Sequence, residues 1–518
     1  MYPGTFAAST PDKPAIIRPA TGETLTYAEL TDDSTRIANH LRGLGLGPGD
    51  TVAIVSDNDL RAFGVYWAAV RSGMYVTAVN HHLTPSEVNY ILADCDARIV
   101  FAASSVAPAV SRAHEIPALA DPSRRIGWSS AAGDGGVPGF GDHAELLAAA
   151  SPAPLTDQPR GTDMLYSSGT TGRPKGIRPA IPQGQVDQIP DLVSAVFGPA
   201  YGFDTETVYL SPAPLYHAAP LRYCAMVNSL GGTTILMDRF DPEMALQYIQ
   251  DYRVTHSQWV PTMFVRMLKL PDEVRNRYDV SSLQCAIHAA APCPAEVKRR
   301  MIEWWGPVIN EYYAATESAG VTLINSADAL AHPGSVGRPA LGVVHICDDD
   351  GADLPVGEVG TVYFEREEMP FEYHNDPDKT REAQHPLHDT WATTGDLGYL
   401  DEEGFLYLTD RRAFMIISGG VNIYPQEAEN VLINHEAVYD VAVIGLPDED
   451  LGERPVGFVQ LVDTASGSPE LAAELLAHAT AELAPYKVPR EIRFVDELPR
   501  TPTGKLVKGD LKAAVLAE

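Results

Sequence analysis

Tyr166-Ser167-Ser168-Gly169-Thr170-Thr171-Gly172-Arg173-Pro174-Lys175-Gly176 packs three glycines, four Ser/Thr hydroxyls and two cations into eleven residues. Glycines let a backbone approach a ligand closely, while amides and hydroxyls donate hydrogen bonds to phosphate oxygens. Arg173 and Lys175 add charge-assisted contacts. A polyphosphate is the guest such a loop suits. A surface turn rich in Gly, Ser and Thr would share its composition. The stretch is not the ATPase P-loop, because Pro174 separates Arg173 from Lys175 and no Gly-Lys-Ser/Thr closes it.

The chain around it has 518 residues, which allows roughly three to four domain-sized units. Hydrophobic residues make up 45% and charged residues 21%, ordinary for a water-soluble chain with a large core. The formal net charge is -31. A surface that acidic repels a nucleic-acid duplex and an anionic membrane, so neither is an expected partner. An acidic chain that binds polyphosphate must gather its cations locally, as this stretch does. Cys95, Cys224, Cys285, Cys293 and Cys347 show no metal-ligand spacing, and reduced thiols fit the cytoplasm. The opening Met1-Tyr2-Pro3-Gly4 has no signal-peptide pattern, and no apolar run reaches about 18 residues, so no stable membrane insertion is expected.

Strands are expected at Thr51 to Ser56, Met74 to Val79 and Arg98 to Ala102, with a helix from Leu60 to Val70 and another capped by Thr84 and Glu87. Gly43 to Gly49 fails G-x-G-x-x-G and reads as a turn. Ser111 to Pro159 is loop-rich. A second alternating unit begins near Thr207: strands at Val208, Thr233 and Thr255, and helices from Leu221 and from Asp241-Pro242. Such alternation implies parallel sheets covered by helices. From Gly334 to Asp410, short β-branched runs between glycines suggest a small β-barrel or distorted sheet. Beyond Asp410, a helix from Pro425, strands near Val441 and Val456, a helix from Ser468 and a strand at Ile492 describe a compact α+β domain.

Further motifs follow in order: His288-Ala289-Ala290-Ala291-Pro292, Tyr312-Tyr313-Ala314-Ala315-Thr316-Glu317, Thr393-Thr394-Gly395-Asp396, Asp410-Arg411, Ser418-Gly419-Gly420-Val421-Asn422-Ile423-Tyr424-Pro425 and Pro499-Arg500-Thr501-Pro502-Thr503-Gly504-Lys505. Together with the opening stretch they resemble the signature motifs of the adenylate-forming superfamily, which includes acyl-CoA synthetases, peptide-synthetase adenylation domains and beetle luciferases. The likeness runs from Asp163 to Leu506, most of the chain.

That resemblance implies an α/β fold: a large N-terminal domain over residues 1–410, a hinge at 411–413, and a smaller mobile α+β domain over 414–518. The large domain holds two α/β units with parallel-type sheets plus the small β-barrel. The resemblance also implies roles. Ser167, Ser168, Gly169, Thr170, Thr171 and Lys175 hold ATP phosphates. Ala290, Ala291, Glu311, Tyr312 and Tyr313 border the nucleotide, with Tyr313 stacked on adenine. Thr316 bonds the α-phosphate, Glu317 binds Mg²⁺, Asp396 takes the ribose hydroxyls and Arg411 contacts ribose and phosphate. His217, Trp259, His288 and Ala289 wall the acyl site. Ser418, Gly419 and Gly420 line the tunnel for the CoA thiol. Lys505 is the mobile catalytic lysine: a cation between an anionic acid and an anionic phosphate offsets their repulsion. Cys293 reads as a small passive hydrophobe. Two departures stand out: Ala314, Ala290 and Ala291 replace family glycines, and Ala413-Phe414 replaces a charged pair at the hinge.

The expected enzyme is therefore an AMP-forming acid–thiol ligase using ATP, Mg²⁺ and CoA on a fatty, aromatic or bulky polycyclic acid. A carrier-protein thiol is the alternative acceptor, although Gly334 to Phe364 is too compact to hold the extra segment of acyl-AMP ligases. A luciferase-like oxygenase and a non-catalytic binder are the other classes; Thr316, Glu317, Asp396 and Lys505 argue against the binder. A homodimer is left open.

Overall fold

The computed structural model describes residues 2–130, 135–167, 174–411, 414–419, 421–448, 450–500 and 506–517; of Arg411 and Ala465 only the backbone is described. The first unit contains β3 (Thr51–Val55), β4 (Tyr75–Val79), β5 (Ala97–Ala103), β6 (Arg125–Trp128), β7 (Gly141–Asp142) and β8 (Thr162–Asp163); β1 (Pro14–Arg18) and β2 (Glu23–Thr26) precede it but join the next sheet. Strand order is β7-β6-β5-β3-β4-β8, and every neighbouring pair is parallel. β3 and β4 are buried along their whole length, because helices cover both faces. The helix at Pro85–Asp94 starts as its sequence demands: the Thr84 hydroxyl accepts from the Glu87 amide while Glu87 Oε2 accepts from the Thr84 amide at 2.8 Å.

The second unit is built on β11 (Val208–Ser211), β12 (Thr233–Leu236), β13 (His256–Trp259), β14 (Cys285–His288) and β15 (Ile309–Ala314). With β1 they form a parallel core in the order β1-β12-β11-β13-β14-β15. The helices that matter for the site are α1 (Leu192–Tyr201), α2 (Ala218–Leu230), α3 (Pro261–Leu268) and α4 (Ala295–Trp305). Gly202 and Gly231 end α1 and α2 in left-handed conformation.

After β15 the direction alternates. β16 (Val321–Ile324), β17 (Ser335–Leu341), β18 (Val343–Cys347), β19 (Gly360–Glu365), β22 (Asp396–Leu400) and β23 (Leu406–Arg411) continue the same sheet, antiparallel, in the order β16-β17-β23-β22-β19-β18. Of the two forms expected for this region, the strand pairing is that of a distorted sheet. The path is open at β18, with register shifts in the β16–β17, β17–β23 and β22–β23 ladders.

From Ile416 onward the chain has its own sheet and its own cores. β26 (Val438–Asp448) and β27 (Gly452–Leu461) form a long hairpin; β24 (Ile416–Ser418) and β28 (Glu491–Val495) flank β27, and α5 (Pro425–Leu432) and α6 (Pro469–Glu482) pack on the sheet. This part meets the large one through polar contacts. Arg266 Nε donates to the Tyr439 hydroxyl at 2.9 Å, Lys269 Nζ to the carbonyls of Val438 and Tyr439, and the Gln426 amide to Asp410 Oδ2 at 3.3 Å. No described helix is long and apolar enough to cross a membrane.

Candidate active site

Two short strands frame the glycine-rich loop. β9 (Leu165–Ser167) and β10 (Lys175–Arg178) pair antiparallel, Ser167 opposite Lys175 and Tyr166 opposite Gly176, which brings the two ends of the loop together. Gly176 has a steric reason: a Cβ there would stand 3.0 Å from the Tyr166 ring and 3.2 Å from His374. Lys175 Nζ donates to Asp376 Oδ2 at 3.0 Å, and the Tyr373 hydroxyl donates to Glu317 Oε1 at 2.9 Å. Ser168, Gly169, Thr170 and Thr171 lie outside the described residues, as do Ala413, Gly420 and Lys505.

Strand alternation sorts the residues of β15. Tyr312 faces Gln258, whose Nε2 donates to its hydroxyl at 2.8 Å. Tyr313 faces the other way, and its hydroxyl donates to Asp396 Oδ2 at 2.6 Å. The Thr394 hydroxyl donates to the same oxygen at 2.7 Å. Asp396 thus already serves two hydroxyl donors, the chemistry a ribose diol asks of a carboxylate. In the β22–β23 ladder, Arg411 stands directly opposite Asp396. Thr316 and Glu317 follow β15 in a turn completed by Ser318 at φ 56. Ala290, beyond β14, holds φ 76, a conformation that a glycine adopts without strain.

Arg222, missed in the sequence, ties this turn down. Its Nε and Nη2 each reach Asp163 at 2.8 Å, and both of its Nη atoms lie within 3.5 Å of the Thr316 carbonyl. Burial opposes the guanidinium charge, but Asp163 outweighs it and raises the pKa. Arg222 is the only charged residue of α2, and a lone charge in an apolar helix signals a buried partner.

Of four further expected positions, Glu311 and Trp259 line the cavity described below, and His288 and Ala289 do not. Glu311 lines that cavity, and its carboxylate is held by the buried Lys298 ammonium. Burial raises its pKa against the pull of Lys298. His288 is fully buried, 3.8 Å from Glu311 and against the Phe264 ring, so it packs behind the cavity wall with Ala289. Burial drives its pKa well down, which keeps the ring neutral. Trp259 does line the cavity, yet it is 1% exposed, and its indole nitrogen donates to the Ser257 hydroxyl at 2.7 Å. Desolvation raises the half-buried Cys293 thiol to about 12, too high for a nucleophile at neutral pH.

These groups border one cavity of about 1940 Å³. On the large-domain side it is lined by Lys175, His217, Arg222, Thr316, Glu317 and Asp396. On the other side stand Tyr439, Asp440, Arg500, Leu506 and Lys508, so both described flanks of residues 501–505 face it. Arg500 is anchored there by Asp440, and an isolated bridge joins it to Leu506. Ser418 and Gly419 are not among the lining residues; the Gly419 amide donates to the Leu451 carbonyl at 2.8 Å. Among the described residues no group of three His, Cys, Asp or Glu forms a ready cation cage. Glu317 brings one carboxylate to the cavity, the hard-oxygen type of ligand that Mg²⁺ takes alongside phosphates and water.

Known proteins share this arrangement. The family profile of the AMP-binding enzymes matches residues 5–373, and that of the AMP-binding enzyme C-terminal domain matches residues 427–505. The chain is 32% identical over 511 residues to the long-chain-fatty-acid–CoA ligase FadD13 of Mycobacterium tuberculosis, covering 98% of this chain and 96% of the other. It is 34% identical over 503 residues to a feruloyl-CoA synthase of Amycolatopsis, with 95% and 94% covered. The solved anthranilate CoA ligase AuaEII, in complex with anthranoyl-AMP, superposes with a TM-score of 0.85 at 25% identity, with 99% and 97% covered. Two family profiles over both parts of the chain, full-length ligase relatives and a cavity walled by the motif residues all agree: this chain belongs to the AMP-binding, adenylate-forming enzymes and is an AMP-forming acyl-CoA synthetase.

Proposed function

We propose that the chain activates a hydrophobic carboxylic acid — fatty, aromatic or polycyclic — as its acyl-adenylate and passes the acyl group to the thiol of CoA in the cytoplasm. The observation that carries this reading is the cavity itself. Phosphate- and ribose-type partners (Lys175, Thr316, Asp396) line part of it, and apolar residues of α1 and α3 (Val193, Val196, Phe197, Met263) line another part. An apolar, concave site with a few convergent polar groups suits a small hydrophobic acid.

In the first step the carboxylate oxygen attacks the α-phosphorus and pyrophosphate leaves. Thr316 and the loop hydroxyls position the phosphates, Asp396 and Arg411 hold the ribose, and Tyr313 and the alanines at 290 and 291 flank the base. Glu317 would hold Mg²⁺, which neutralises phosphate charge. Lys505 is delivered by the small domain to the negative charge that grows in the transition state. In the second step the small domain turns about residues 411–413, His217 clears the acyl carbonyl, and the Ser418–Gly420 segment admits the thiol. The thiol sulfur attacks the carbonyl carbon and AMP leaves.

Lys505→Ala tests this division. Formation of acyl-adenylate from acid and ATP should fall at least about a hundredfold, the scale of removing one preorganised charge partner. Thioester formation from preformed acyl-adenylate should stay within about twofold of the parent. Equal losses in both assays would refute it. AMP release that depends on a carrier protein and not on CoA would replace the acceptor.

A further inference from the structure

We propose that the inner end of the acyl pocket is a polar subsite for a neutral oxygen function, a hydroxyl or ketone, carried on a ring of the acid remote from its carboxyl. This rests on the reading of the cavity as an acyl site and narrows the acids it takes.

Tyr223 on α2, Gln258 on β13, Tyr312 on β15 and Phe197 on α1 all line the cavity. Their rings adjoin one another: Phe197 to Tyr312 at 4.8 Å and 53°, and Tyr312 to Tyr223 at 5.9 Å and 22°. Flat faces at this spacing suit a flat guest better than an alkyl chain.

The polar atoms on this wall are only partly used. Gln258 donates to the Tyr312 hydroxyl, which leaves the Tyr312 proton to give. Tyr223 is 1% exposed and its hydroxyl has no hydrogen-bond partner. Buried hydroxyls are ordinarily bonded, so an unpartnered phenol on a residue that lines the cavity asks for a guest. Burial, with smaller contributions from Tyr312, Tyr201 and Tyr209, keeps the Tyr223 phenol protonated. It is therefore a donor at any assay pH. Of the cations that line this cavity from α2, α3 and α4, Arg222 and Lys298 are committed to Asp163 and Glu311, and Arg266 donates to the Tyr439 hydroxyl. A second carboxylate on the acid would be buried without a counter-ion, so a neutral oxygen is what fits.

The test uses matched pairs of aromatic and polycyclic acids, with and without a ring hydroxyl far from the carboxyl. Pyrophosphate exchange into ATP gives kcat/KM for each. The full chain should prefer the hydroxylated member by about tenfold or more, the scale of one satisfied buried hydrogen-bonding group. Tyr223→Phe and, independently, Gln258→Leu should compress that ratio toward one. Equal use of both members by the parent enzyme, or a ratio untouched by both variants, overturns the subsite. Calorimetric binding of the same acids separates the two readings. Preferential binding without exchange sinks the ligase assignment and keeps the subsite. Exchange without preference sinks the subsite alone. Neither binding nor exchange by any pair sinks both.

Discussion

Asp33 holds its charge against its surroundings. Burial raises its pKa from 3.8 to about 6, and Asp32 and Glu29 push the same way. A folded-state pKa above the unfolded one means that the folded chain takes up a proton between about pH 4 and pH 6. Above pH 6 the carboxylate is charged in both states, and the folded state carries the full cost. The penalty is thus present at neutral pH and disappears as pH falls below 4. Asp33→Asn should raise the melting temperature by about 2–4 °C at pH 8, as expected for a chain of more than one domain, and the gain should vanish near pH 4. Melting curves at both pH values check this; a gain of the same size at pH 4 would assign the effect to packing. Glu311 is the other buried carboxylate of interest, and Lys298 holds it. Nothing in the spacing of Lys298 and Glu311 along the chain announces their meeting. They touch because α4 folds back over β15, a tertiary fact that no local pattern encodes.

At the scale of elements, sequence was most informative where backbone chemistry is local. The capping box at Thr84 and Glu87 and the Asp241 cap both formed, since each uses groups within three residues of one another. The motif that ends β15 was legible for the same reason, but the element that steadies it was not. α2 lends Arg222 to Asp163 just before the signature loop and to the Thr316 carbonyl just after β15, so one helix side chain joins two motif segments. Arg222→Met would strand the Asp163 carboxylate, whose side chain is 5% exposed, at a cost of about 3–5 kcal/mol. Arg222→Lys keeps the charge and loses the two-pronged geometry. We expect the Lys variant to fold, with kcat for adenylate formation lowered about tenfold by a misplaced Thr316. The double variant Asp163→Asn/Arg222→Met should melt higher than Arg222→Met alone, because no orphan charge remains. If the double variant melts lower than either single one, the pair is not what holds these segments together.

Across the whole molecule, the question is how the two parts of the chain sit together. Their described hydrogen bonds are few and polar: Arg266 to Tyr439, Lys269 to Val438 and Tyr439, and Gln426 to Asp410. Contacts of that kind hold one arrangement loosely, and relative motion is the default for parts so joined. The arrangement seen here turns the flanks of residues 501–505 toward the cavity and keeps Ser418 and Gly419 off it. Under the proposed division of labour this is the adenylating arrangement, and a thiol tunnel built on the Ser418 segment would need another. Both motifs, and the expectation of a hinge between them, were legible in the chain; which of the two faces the site was not, because that depends on contacts between surfaces far apart in the chain. The contacts themselves are testable. Lys269→Ala with Tyr439→Phe removes the α3 side of the junction without touching a motif residue. If this junction supports adenylation, the double variant should slow acyl-adenylate formation by about three- to tenfold, equivalent to the loss of one or two modest hydrogen bonds. It should leave thioester formation from preformed acyl-adenylate unchanged or faster, since the competing arrangement is relieved of a rival. Single-turnover measurements of the two steps decide it. Slowing of the second step alone would mean that these contacts belong to thioester formation instead.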